Sequence, residues 1–185
     1  MRPHWIKIAL LLALVWGMIG GAIWIVRKNR ATPERIAEFV GANTLDGKAP
    51  ADRAKLIEEV AKRVNSLEYE QRQEMHKHRM LAPLLASMNA DEKAGYFALV
   101  LPKGFKQMNE NLNKMERGKR QRVIEKATRE LQERGGDLLP GLDAALAKQV
   151  IEHGLKSFYS DASIETKMDA LPFIEALEQT VKWSH

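Results

Sequence analysis

The sequence predicts an all-α protein: an N-terminal transmembrane helix followed by a helical bundle of about six to seven helices. Two observations carry this. Residues 8 to 26 contain no charge, and at about 1.5 Å per residue nineteen helical residues match the thickness of a bilayer's hydrocarbon core. Beyond them apolar residues recur at helical spacing between capping residues, while period-two runs bounded by turns, the mark of strands, are weak throughout.

The apolar run begins after Lys7 and ends before Arg27 and Lys28. A removable export signal has a shorter apolar core of about 7 to 15 residues and a small-x-small cleavage site. Gly20-Gly21-Ala22 offers such a site, yet the run continues through Ile23, Trp24, Ile25 and Val26, so an uncleaved span is expected. Trp5 and Trp24, with Arg27, Lys28 and Arg30, are the expected interfacial anchors. Ala9, Ala13, Gly17 and Gly21 stand four apart, which stacks them on one face where a second backbone can approach closely.

The chain divides into an anchor over residues 1–30, a juxtamembrane helix and linker over 31–49, and a helical domain over 50–185. Its net charge of +5 lies wholly in the first thirty residues, which hold five bases and no acid. The remaining 24 bases meet 24 acids. A neutral domain argues against nucleic acid as a partner, and the basic flanks of the apolar run point to anionic lipid headgroups. The lack of cysteine removes disulfides and thiolate chemistry.

Thr32 caps a short helix with Pro33 at its first position, stopping near Gly41, and "GANTLDGKAP" reads as the linker. Pro50 opens a helix to about residue 65 with Ile57, Val60, Ala61 and Val64 inward. Ser66 is expected to cap the next, which runs to about residue 88 with a kink at Pro83. Asn89 and Glu92 suggest a capping box, and Pro102 a further helix start, with Phe105, Met108, Leu112 and Met115 along one side. A charged helix from about 116 to 134 turns Val123, Ile124, Ala127 and Leu131 toward the core and ends at Gly135-Gly136. Two last helices cover about 142 to 159 and 163 to 182, the second capped by Asp161 or Ser163. In it Ile164, Met168, Leu171, Ile174, Leu177 and Val181 keep helical spacing despite Pro172.

Three helix starts look alike: "SLEYEQRQEM", "SMNADEKAGY" and "KMERGKRQRV", with "KAPADRAKL" a partial fourth. Each sets a base, Arg53, Arg72, Lys93 or Arg120, three residues before an apolar one. The irregular intervals suit a repeated way of starting a helix better than a solenoid. At Leu67, Gln71 and Arg72 the chain resembles the helical periplasmic proteins with LTxxQ motifs, the Spy and CpxP-like group, although Glu68 stands where their threonine would. The resemblance implies a periplasmic, dimer-forming protein that binds unfolded clients or metal.

The stretch "MHKHRM" is the one cluster of imidazole and thioether donors. On a continuous helix Glu74 would face His78, and His76 would face Met80, giving at most two ligands per face; these four are the weak metal candidates beside a solvated helix face. The run of bases from Lys103 to Arg122 suits a salt-bridged face or an acidic partner. Asp161, Glu165 and Asp169, four apart, suit a cation or the helix macrodipole. No nucleophile–base pattern or glycine-rich phosphate loop occurs, so no catalytic residue, cofactor or small-molecule substrate is assigned and an enzyme is not expected. The expectation is a single-pass membrane protein of a bacterial inner membrane that works as an interaction or scaffold protein, binding lipid and either a protein partner or its own copies. An envelope stress chaperone or metal sensor is the alternative. The charges flanking the span leave its orientation open, and the resemblance leans it toward the periplasm.

Overall fold

The computed structural model describes residues 31–133 and 144–182, and these contain eight α-helices and no strand. The segment read as the membrane span lies outside the described residues, as do the small-residue face Ala9, Ala13, Gly17 and Gly21 and the anchors Trp5, Trp24, Arg27, Lys28 and Arg30. Among the described residues no helix is long and apolar enough to cross a membrane.

Helix α1 (Pro33–Ala42) starts as its sequence demands: the Thr32 hydroxyl accepts from Arg35 N–H at 3.4 Å and Pro33 occupies the first turn. It runs past Gly41 and closes on Asn43, whose side-chain amide donates to Phe39 O at 2.9 Å. Ile36 and Val40, one turn apart, are buried, and so is Leu45 at 0 % exposure, in the middle of the stretch read as a linker. Gly47 turns the chain there with φ +70, a conformation in which a side chain is strained. Helix α2 (Pro50–Asn65) then buries Leu56, Ile57, Val60, Ala61 and Val64.

The next segment is two helices where one kinked helix was expected: α3 (Tyr69–Lys77) and α4 (Ala82–Ser87). Pro83 has no N–H to give, and its ring would meet the carbonyl of Arg79 in a continuous helix. The chain instead stops α3 with Arg79 at φ 49, Arg79 N–H on His76 O at 3.0 Å and Met80 N–H on Met75 O at 3.1 Å. That pair of bonds is a Schellman closure. Ser66 does not cap α3. Its hydroxyl donates back to Arg63 O at 2.6 Å, and Glu68 takes the N-cap position, its N–H donating to Gln71 Oε1 at 3.1 Å.

Helix α5 (Ala90–Lys114) runs through Pro102, which does not begin a new helix. The loss of a bond there is offset nearby: Asn65 of α2 donates to Leu99 O at 2.9 Å, in the turn before the proline. The Asn89–Glu92 capping box is formed in both directions, at 2.9 and 3.0 Å. Helices α6 (Arg117–Glu133), α7 (Ala144–Asp161) and α8 (Ile164–Lys182) complete the bundle.

Helix α5 is the spine. It packs against α2 and α3 and against α7 and α8, while α6 lies along α8. One apolar cluster joins α1 to the first turns of α5 through Leu45, Val60, Leu67, Tyr96 and Val100. The other joins α6, α7 and α8 through Ile124, Phe158, Ala170 and Ile174. Gly154 of α7 lets the Phe105 ring of α5 lie close, since a Cβ there would sit 3.1 Å from Phe105 Cζ.

Candidate functional site

Three of the four bases singled out in the sequence do a common job, and Lys93, at the same position of α5, makes no such bond among the described residues. Arg53, Arg72 and Arg120 each stand in the first turn or so of a helix, and each guanidinium reaches back to the carbonyl eight residues earlier. The pairs are Arg53 Nη1 to Leu45 O at 2.9 Å, Arg72 Nη2 to Val64 O at 3.0 Å, and Arg120 Nη1 to Leu112 O at 3.5 Å. Each also reaches a distant helix. Arg53 holds Glu92 through two bonds of 2.6 Å, Arg72 takes Gln107 Oε1 at 3.0 Å, and Arg120 takes Asp169 Oδ2 at 2.8 Å. A guanidinium suits this because its planar fork donates in several fixed directions at once.

A further copy escaped the sequence reading. Lys167, at the same position of α8, donates to Tyr159 O at 2.7 Å, again eight residues back. Ala162 and Ala170 occupy the apolar positions filled elsewhere by Leu67 and Met75, and both are buried; alanine gave too weak a signal. The bases are therefore joints between consecutive helices.

The joints carry charge that burial would otherwise penalise. The Arg53 guanidinium bonded to Glu92 holds that carboxyl down at about 2, against an ordinary 4.5. Asp169 is likewise held below its ordinary value, by Arg120 first, with Gln121 donating at 3.0 Å to its other oxygen. Burial lowers Arg72 and raises Tyr96.

The metal candidates separate in the fold. Helix α3 ends at Lys77, so His76 and Met80 do not share a helical face. Met75 is buried and Met80 packs on the same cluster, as the apolar pair of a Schellman closure does. Glu74 and His78 meet at 2.9 Å on an exposed surface. Among the described residues no three His, Cys, Asp or Glu side chains converge as a metal site would require. The acids also disperse: Asp161 accepts from Ser157 Oγ at 2.8 Å, at the end of a path that includes the buried Asn109, and Asp169 faces Arg120.

What remains unused is a surface. Four apolar residues expected in the core point outward: Val123 of α6 is 42 % exposed, and Ile164, Met168 and Leu171 of α8 are 74, 65 and 55 % exposed. Helix α8 has two apolar faces, and Thr166, Ala170, Ile174 and Leu177 are the one it buries. Of the four outward residues only Met168 borders the open groove of about 530 Å³ between α6 and α8, which has Ile124 and Pro172 among its other apolar walls and Arg117 and Arg129 among its polar ones. An exposed apolar row next to a groove is the form of a protein-binding surface more than of a reaction centre.

Comparison with protein-family models, curated proteins and solved structures finds no match to the chain.

Proposed function

We propose that this chain is a membrane-anchored helical interaction protein, tethered through residues 8 to 26 and engaging protein through the outer face of α6 and α8. The observation that carries the reading is the row Ile164, Met168 and Leu171, held toward solvent by a helix whose opposite side is fully engaged. Leaving three large apolar side chains in water has a free-energy cost of order 1 kcal/mol or more each that docking would recover. The arginines and carboxylates inside the bundle hold helices together, and the uncharged N-terminal run flanked by bases supports the tether.

A photo-crosslinking residue at position 168 of the full-length chain, expressed in cells, tests the reading. Discrete crosslinked protein species in the membrane fraction are the expected result. A chain recovered in the soluble fraction with its N-terminus intact removes the tether, and lipid-only or absent crosslinks remove the docking role.

The same exposed row supports a second reading, a chaperone of the LTxxQ type that holds unfolded clients. Suppression of a model client's aggregation by the full chain, lost on Met168→Glu, is its test.

A further inference from the structure

Lys167 holds one of the two partners that its counterparts hold. Arg53, Arg72 and Arg120 each grip the carbonyl eight residues back and, at the same time, an acceptor on a helix further along: Glu92, Gln107 and Asp169. Lys167 grips Tyr159 O, and among the described residues no acceptor from another helix meets it. An ammonium donates in three directions, so a second partner has room.

The surface around Lys167 is of the matching kind. Laying α8 on α6 with Lys167 over Arg120 puts Ile164 on Arg117, Met168 on Gln121, Leu171 on Ile124 and Glu175 on Thr128. On α6 those four are the residues against which α8 sits: Arg117 and Gln121 reach Asp169 at 3.5 and 3.0 Å, and Ile124 and Thr128 line the groove shared with Met168 and Pro172. The exposed row of α8 therefore stands where α6 carries the face that receives a helix. It is a different side of α8 from Ala170 and Ile174, which pack in the cluster with Ile124.

From this equivalence we infer that the occupant of the row is an amphipathic helix of a partner protein, lying on α8 as α8 lies on α6 and giving Lys167 the carboxylate that Asp169 gives Arg120. Ile164, Met168 and Leu171, spaced four and three residues apart, form the seam for its apolar side. Glu175 and Glu178 are exposed toward the far end of α8 and call for bases, so the partner helix is acidic at the end that meets Lys167 and basic at the other. The neighbouring Glu165 has its charge met within the molecule, by the backbone at the start of α8, by Ser163 and by Arg120. From Ile164 to Glu178 the face is about 20 Å long, which a helix of roughly four turns covers. The inference rests on the reading of this face as a docking surface and states the chemistry of what docks.

Two stapled helical peptides of about fifteen residues, the length of the face, test it. Both carry leucines four and three apart. One has a glutamate in its first turn and lysines in its last, and the other has these charges exchanged. Their binding to the full-length chain, held in nanodiscs of zwitterionic lipid, is read by fluorescence anisotropy. The acid-first peptide is expected to bind the parent chain at least about ten-fold more tightly than its exchanged twin. Lys167→Glu is expected to invert that preference, and Lys167→Met, which drops the charge and keeps the length, to remove it. Met168→Glu with Leu171→Glu is expected to abolish binding of both peptides while leaving the helical signal and melting unchanged.

Equal affinity of the parent chain for the two peptides overturns the inference, as does binding of neither, or a preference that survives Lys167→Glu. A crosslink from position 168 to another copy of this chain overturns it too, by naming a different occupant. The docking role itself is decided separately, by whether position 168 crosslinks to protein at all.

Discussion

Arg120 and Asp169, 49 residues apart in the sequence, meet with Arg120 Nε and Nη2 each 2.8 Å from Asp169 Oδ2. Their side chains are only 6 and 4 % exposed. This contact fixes α6 along α8 and so sets the geometry of the outer face. Removing one partner leaves the other charge desolvated, which costs more than the pair contributes. Arg120→Ala is expected to lower the melting temperature by roughly 5–10 °C. The double variant Arg120→Met with Asp169→Leu is expected to recover most of that, read by circular dichroism.

The Arg53–Glu92 joint makes a pH prediction. Glu92 titrates near 2 in the folded chain against an ordinary 4.5, so its folded pKa is depressed. The stabilisation is complete above about 4.5 and is lost as the pH falls toward about 2, because the unfolded chain takes up the proton first. Urea midpoints measured between about pH 5 and about pH 2 should fall, and Arg53→Met should flatten that fall while lowering stability at neutral pH.

Leu45 tests whether residues 43–49 act as a tether or as part of the packed body. Its full burial beside Ile36 and Val60 predicts that Leu45→Ala costs about 3 kcal/mol, as for other buried leucines. A loss below about 0.5 kcal/mol in urea unfolding, the usual size of a surface effect, would contradict the packing described.

Arg79 holds a left-handed conformation that suits glycine better. Arg79→Gly is expected to stabilise the chain by up to about 1 kcal/mol, whereas Arg79→Val should destabilise it. Because Met75 and Met80 serve the closure, Met80→Leu should leave stability within about 1.5 kcal/mol and zinc should not raise the melting temperature of either form.

Much of the helical layout was legible because it rests on local chemistry. Thr32-Pro33, Pro50 and the Asn89–Glu92 box each announce a helix start within four residues. The errors arose where a distant contact decided. Pro102 looks like a start, but the amide of Asn65 supports the helix across it. On α6 the inward face is Arg120, Ile124, Ala127 and Leu131. Arg120, read as a surface base, sits there because Asp169 awaits it, and Val123 is turned outward in consequence. On α8 two apolar faces were merged into one, since spacing alone cannot say which of them meets a neighbour. The candidate surface lies in that ambiguity.

Arg53, Arg72 and Arg120 each grip a carbonyl eight residues back and a side chain 35 to 49 residues ahead at the same time, so every such corner is also a clamp on a remote part of the chain. A turn added to an intervening helix would pull a guanidinium off its far partner even where the near carbonyl is kept, so the lengths of these helices are tied to one another.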